Sequence, residues 1–97
     1  MKGQEIRPGQ LVSSRAGRDQ GHFYLVLAIR DERTALVVDG RTRPVAGPKR
    51  KNPKHLEPHA CAAEDLCRRL AGGEPVDDAE IRQAIKRLAS RVTGDEI

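Results

Sequence analysis

The stretch that decides the fold is Gln10-Leu11-Val12-Ser13-Ser14-Arg15-Ala16-Gly17-Arg18-Asp19-Gln20-Gly21-His22-Phe23-Tyr24-Leu25-Val26-Leu27-Ala28-Ile29. Two apolar runs flank a loop of charge and glycine. Leu11 and Val12 open the first, and Phe23, Tyr24, Leu25, Val26, Leu27 and Ile29 make the second, a mix of aromatic and branched residues that suits a pleated, half-buried surface. The pattern predicts strand, loop, strand. In the loop, Gly17 and Gly21 accept positive φ without a Cβ clash, so the chain can turn sharply and bring backbone N–H groups close to a ligand. Arg15, Arg18 and His22 surround those groups.

Toward the N-terminus, Pro8-Gly9 punctuates the chain before the first strand, and residues 1–7 are polar and loose. On the other side, Asp31-Glu32-Arg33 makes a short polar turn into Thr34-Ala35-Leu36-Val37-Val38, which forms an antiparallel hairpin with residues 22–30. Asp39-Gly40 fits a two-residue turn needing positive φ, with Arg41-Thr42-Arg43-Pro44-Val45 running back as a short edge strand. Lys49 to Lys54 interrupts the apolar pattern, and Leu56 anchors a last short strand. Four or five antiparallel strands with such tight connections must curl or close their sheet to bury one face. A small SH3-like β-barrel over residues 1–59 is therefore the expected architecture.

Residues 60–97 change period. Ala63, Leu66, Cys67 and Leu70 fall at i, i+3, i+4 and i+7, the stripe of an amphipathic helix that Gly72-Gly73 ends in the left-handed conformation. A second helix starts at Asp77 as N-cap with Glu80 three residues on, a capping box, and Val76 stands ready to staple onto Ile81. Ile81, Ala84, Ile85, Leu88, Ala89 and Val92 make its apolar face, Lys86, Arg87 and Arg91 suit its C-terminal dipole, and Gly94 marks the stop. With one Phe, one Tyr and no Trp, the barrel has few large side chains. The helical pair is expected to pack on it as scaffold, the two parts forming one structural unit.

Charge separates the two parts. Residues 1–59 hold 12 Lys and Arg against 6 Asp and Glu, a net of +6, whereas residues 60–97 hold 6 against 8, a net of −2. A polyanionic partner is expected for the first part. The run Lys49-Arg50-Lys51-Asn52-Pro53-Lys54-His55 is too polar for a core, and Pro48 and Pro53 keep it from being helical. A stiff, extended, cationic segment is suited to tracking a phosphate backbone. Arg41 and Arg43, beside the Asp-Gly turn, extend the same surface.

Neither metal nor catalytic chemistry is expected. His55, His59, Cys61 and Cys67 lie close in sequence, but their spacing gives neither paired CxxC units nor a His-x3-His on one helix. A disulfide between Cys61 and Cys67 is disfavoured if both are helical, because their Cβ atoms would then face apart. No GxSxG, no Walker loop and no carboxylate pair in an apolar setting is present. Asp19 reads as a loop cap or as a partner for Arg18. No apolar run is long enough for a membrane span, and Met-Lys-Gly-Gln-Glu lacks the apolar core of a signal peptide, so a cytoplasmic location is expected.

The central stretch resembles the KOW motif, the strand-loop-strand of several ribosomal proteins and of NusG-type transcription factors. Pro8-Gly9-Gln10-Leu11-Val12, then Ala16-Gly17-Arg18-Asp19-Gln20-Gly21 and the apolar strand after it, are similar to the version in the L14e, L6e and L27e ribosomal proteins and their small bacterial relatives. Asp39-Gly40-Arg41 and the basic segment ending in His55-Leu56 strengthen the likeness, which covers roughly residues 6–58. Gln20 stands where many KOW motifs have Lys. The resemblance implies a non-enzymatic module without cofactor that binds RNA, ribosomal RNA first, within the translation apparatus, with the ribosome and its proteins as further partners. Its binding residues would be Arg15, Gly17, Arg18, Gln20, Gly21 and His22 of the loop, Arg41 and Arg43, and Lys49, Arg50, Lys51, Asn52, Lys54 and His55 of the basic run. Scarce aromatics argue against base stacking as the main mode, so recognition would rest on phosphates and RNA shape. The rival reading is a protein-interaction module docking on a ribosomal or transcription partner, since such barrels also bind proteins.

Overall fold

A computed structural model describes residues 6–62 and 64–93. Five strands come first: β1 (Gln10–Ser14), β2 (Phe23–Asp31), β3 (Thr34–Val38), β4 (Lys49–Lys51) and β5 (Leu56–Cys61). Two helices follow, α1 (Glu64–Ala71) and α2 (Asp78–Thr93). The strands form one antiparallel sheet in the order β4-β3-β2-β1-β5. The expected strand-loop-strand and the Asp31 hairpin are both present.

β2 is the central strand, and its apolar run serves both faces of the sheet. Leu11, Leu25 and Val38 point to the helix side, where they pack with Leu66, Leu70, Ile81 and Leu88. Val12, Tyr24, Val26, Ala35, Val37 and Leu56 form a second cluster on the opposite side, which no helix contributes to. Leu56, Val12, Val26 and Val37 are nevertheless fully buried. The sheet must therefore fold over on itself.

Chain connectivity demands the same curl. In a flat sheet with strands about 4.8 Å apart, β4 and β5 would stand about 19 Å from each other. They are joined only by residues 52–55, of which Pro53–His55 form a 3-10 turn, and such a turn rises only about 2 Å per residue. Breaks in register between Val26 and Ala28 on β2, and between Gln10 and Val12 where β1 meets β5, are the irregularities that let strands bend this sharply. The barrel is not closed, since β4 and β5 are the two ends of the sheet order.

One sequence expectation is corrected here. Residues 41–45 do not run back as a strand, because Asp39 captures the turn: its Oδ1 accepts the backbone N–H groups of Arg41 and Arg43, each at 2.8 Å. The edge beside β3 is taken instead by the basic run, with Ala35 opposite Lys51, Leu36 opposite Arg50 and Val37 opposite Lys49. Gly40 does hold the expected positive φ, 78°.

The helices form as their caps predict. Glu80 N–H donates to Asp77 Oδ1 at 2.8 Å and Asp77 N–H to Glu80 Oε1 at 3.1 Å, the complete capping box. α1 ends with Gly73 at φ 75°. Arg69 of α1 reaches Glu80 of α2 with its guanidinium, clasping the pair. The Glu80 carboxyl is lowered by that contact and the Arg69 guanidinium raised by it. Ala63 and Gly94 lie outside the described residues, and Val92 is 40% exposed rather than covered. Cys61 belongs to β5, not to a helix, and both thiols are free. Burial, and then the neighbouring Cys61, push the Cys67 thiol up. Among the described residues, no helix is long and apolar enough to cross a membrane.

Candidate functional site

Asp19 organises one end of the sheet. It sits in the loop between β1 and β2, where Gly17 and Gly21 hold φ of 88° and 89°, as the sequence requires. Its Oδ2 accepts the Tyr24 hydroxyl at 2.6 Å and Lys49 Nζ at 3.1 Å. Its Oδ1 lies 2.8 Å from the Ser14 hydroxyl and 3.2 Å from Lys51 Nζ. Burial alone would raise this carboxyl. Hydrogen bonds from Tyr24, Ser14, Lys49 and Lys51 outweigh it and hold the group far below the usual carboxylate range. The Tyr24 phenol is raised by burial and by the Asp19 charge.

Asp39 is a second acidic hub. Besides the two backbone bonds on Oδ1, its Oδ2 accepts His22 Nε2 at 2.8 Å and the Thr42 hydroxyl at 2.9 Å. Burial opposes ionisation, but the N–H groups of Arg43 and Arg41 and the side chains of His22 and Thr42 bring the carboxyl down to about 2.

These hubs draw three separate segments together. Loop 15–22 touches the turn at 39–43 through His22 and Asp39, meets β4 through Asp19 and its two lysines, and meets the 52–55 turn where Arg15 N–H donates to His55 O at 2.8 Å. Every residue singled out from sequence as a candidate RNA contact lies on one of these segments. Their side chains divide into two groups. Arg18, Gln20, His22, Arg41, Arg43, Arg50, Lys54 and His55 are exposed, with Arg15 also exposed and near Glu57 at 3.8 Å. Lys49 and Lys51, by contrast, spend their ammonium groups on Asp19, and the Lys51 side chain is only 12% exposed. Asn52 turns inward, its Oδ1 accepting Lys54 N–H at 3.0 Å as the cap of the 3-10 turn.

The chain matches no protein-family model and no curated protein. The chemistry of the site must therefore be read from its own residues. Among them no three His, Cys, Asp or Glu side chains gather as a metal would need, within the described residues. His59 instead meets the Ser13 hydroxyl at 2.9 Å and packs on the edge of Phe23. What remains is a cationic surface with a rigid acidic frame, suited to holding an extended anion through several separate contacts.

Sequence reasoning missed the frame. Asp19 was expected to cap its own loop or hold Arg18, whereas its partners come from β1, β2 and β4. It also passed over Arg82 and read Lys86, Arg87 and Arg91 only as suiting the helix dipole, whereas all four are exposed along α2. The net negative charge of the tail hid this, because six of its eight acids lie in α1, the turn before α2 and its first turn, and the other two, Asp95 and Glu96, follow α2 in the sequence. The i, i+4 spacing of Arg82 with Lys86, and of Arg87 with Arg91, was the available signal.

Proposed function

We propose that this chain is a non-catalytic RNA-binding module of the translation apparatus, with an SH3-like curl of the KOW type, acting in the cytoplasm on ribosomal or other structured RNA. The observation that carries the reading is the convergence of loop 15–22, the 39–43 turn and the basic run on one end of the sheet. Each brings exposed Arg, Lys or His side chains there. Cations on separate loops with fixed spacing suit phosphates on a shaped RNA better than one compact anion. The curl of β1 to β5, joined across its ends by residues 52–55, supports the SH3-like part of the reading. The division of side chains adds a refinement: Arg18, Arg41, Arg43, Arg50 and Lys54 touch the RNA, while Lys49, Lys51 and Asn52 shape the surface that carries them.

The test is titration of the full chain against a structured ribosomal RNA fragment over a range of salt. Affinity should fall log-linearly with salt, with a slope of about 0.7–0.9 per phosphate contact. Binding that is insensitive to salt, or absent at low salt, would favour docking on a protein instead.

A further inference from the structure

A cavity of about 450 Å³ opens between the 39–43 turn and the first half of α2. It adjoins the proposed RNA surface and shares Arg41, His22 and Asp39 with it, while its α2 wall of Ala79, Arg82, Gln83, Ile85 and Lys86 takes no part in the contacts assigned above. That volume falls in the range of small-ligand sites, and the site is a groove open to solvent. Phe23 and Ile85 line it with apolar surface, and Arg41, Arg82 and Lys86 line it with positive charge. Its one acid, Asp39, already receives two backbone N–H groups, His22 and Thr42 on its two oxygens. The side chains of Arg41 and Lys86 make no hydrogen bond or ion pair among the described residues. An acid with filled acceptor sites beside cations without partners leaves the cavity complementary to an anion.

The wall is also fixed in place. Arg82 Nη1 donates to Gly40 O at 2.8 Å, bridging helix and turn. A Cβ on Gly40 would come within 2.7 Å of Arg82 Cγ and of Asp78 O, so turn and helix approach as closely as their backbones permit. A second depression continues along α2, lined by Lys86, Arg87 and Arg91. A strand leaving the cavity would meet cations on that path.

We infer that this cavity takes one unpaired nucleotide of the bound RNA, its base against Phe23 and Ile85 and its phosphate between Arg41 and Lys86. The inference rests on the RNA-binding reading and adds to it a preference for RNA with a nucleotide free to leave the helix. Unstacked bases in bulges and loops are what proteins reach in RNA, because the duplex hides base edges.

The test compares the full chain bound to an RNA duplex, to the same duplex carrying one bulged adenosine, and to AMP. The bulged RNA should bind roughly tenfold tighter than the plain duplex, the scale of one base stacked on protein. Ala79→Phe, which fills the cavity from α2, and Lys86→Gln, which removes its phosphate partner, should each bring that ratio toward one. A ratio of one in the parent chain, or a ratio unchanged in both variants, would overturn the cavity's role and leave the loop surface standing. If AMP shifts the amide signals of Gln83 and Lys86 while the bulge has no effect, the site serves a free nucleotide and the inference is wrong. Binding to neither RNA overturns the RNA reading itself, and this inference with it.

Discussion

Lys51 Nζ stands 3.2 Å from Asp19 Oδ1 and, on the same side, 2.9 Å from Ser14 Oγ. The ammonium thus fastens β4, at one end of the sheet order, to the end of β1, two strands away from its ladder partner β3. Among the described residues no backbone ladder joins β4 to β1, so this side-chain bridge, with Lys49 beside it, reinforces the curl that the short 52–55 connection imposes.

Lys51→Met should therefore destabilise the fold, although the residue lies in a run that reads as surface charge. Removing one partner of a half-buried network leaves the acceptor undersatisfied, which costs about 1–3 kcal/mol. Arg50→Ala, one residue away but exposed, should stay within about 0.5 kcal/mol of the parent. Urea midpoints of the two variants check this, and equal midpoints would contradict the bridging role.

Acid should weaken the protein in a defined window. Asp19 and Asp39 both ionise more readily in the folded chain than a free carboxyl of pKa about 3.9. Groups with depressed folded values stabilise above the unfolded value, and that stability is lost as pH falls through the folded one. Unfolding free energy should thus be level near neutrality and drop as pH falls from about 4 toward 2. Asp39→Asn should have a shallower drop over the same range, measured by urea titration at each pH. A parallel drop in the variant would remove Asp39 from the account.

Two glycines with similar backbone angles should respond differently to the same change. A Cβ added at Gly21, φ 89°, would meet nothing within 4 Å, whereas one at Gly40, φ 78°, would run into Arg82 and Asp78. Gly21→Ala should cost only the backbone term, about 1–2 kcal/mol. Gly40→Ala adds overpacking, typically about 1–3 kcal/mol more, and should also pull the 39–43 turn away from α2. Thermal melts rank them, and a milder effect at Gly40 would argue that the turn and helix yield.

For RNA, Arg18→Ala with Lys54→Ala should weaken binding across sequences and lower the salt slope by about 1.4–1.8 in total, two contacts' worth. Both side chains are exposed, so the melting temperature should hold. An unchanged slope would take both residues out of the interface.

Much of this was legible in the sequence, because the decisive signals are local. Apolar runs of aromatic and branched residues between Leu11 and Val38 marked three strands, and Asp77 with Glu80 marked the start of α2 to the residue. What escaped was set by contacts between distant segments. Arg41 to Val45 has the look of a returning strand, yet a single buried carboxylate, Asp39, binds its backbone into a turn. Lys49 and Lys51 cannot be told from Arg50 by composition. Only the pleat, which sends alternate side chains to opposite faces, places the two lysines over Asp19 and turns Arg50 away. The cationic face of α2 was masked for the opposite reason, since averaging over the tail cancelled charges that the helix keeps apart.

Because β2 lends Leu25 to the helix-side cluster and Tyr24 and Val26 to the strand-side cluster, neither cluster can melt without releasing the strand that builds the other. Heat should consequently take the chain apart in a single cooperative step, with calorimetric and van't Hoff enthalpies equal, and the amide hydrogens in the middle of β2 should be among the last to exchange with deuterated solvent.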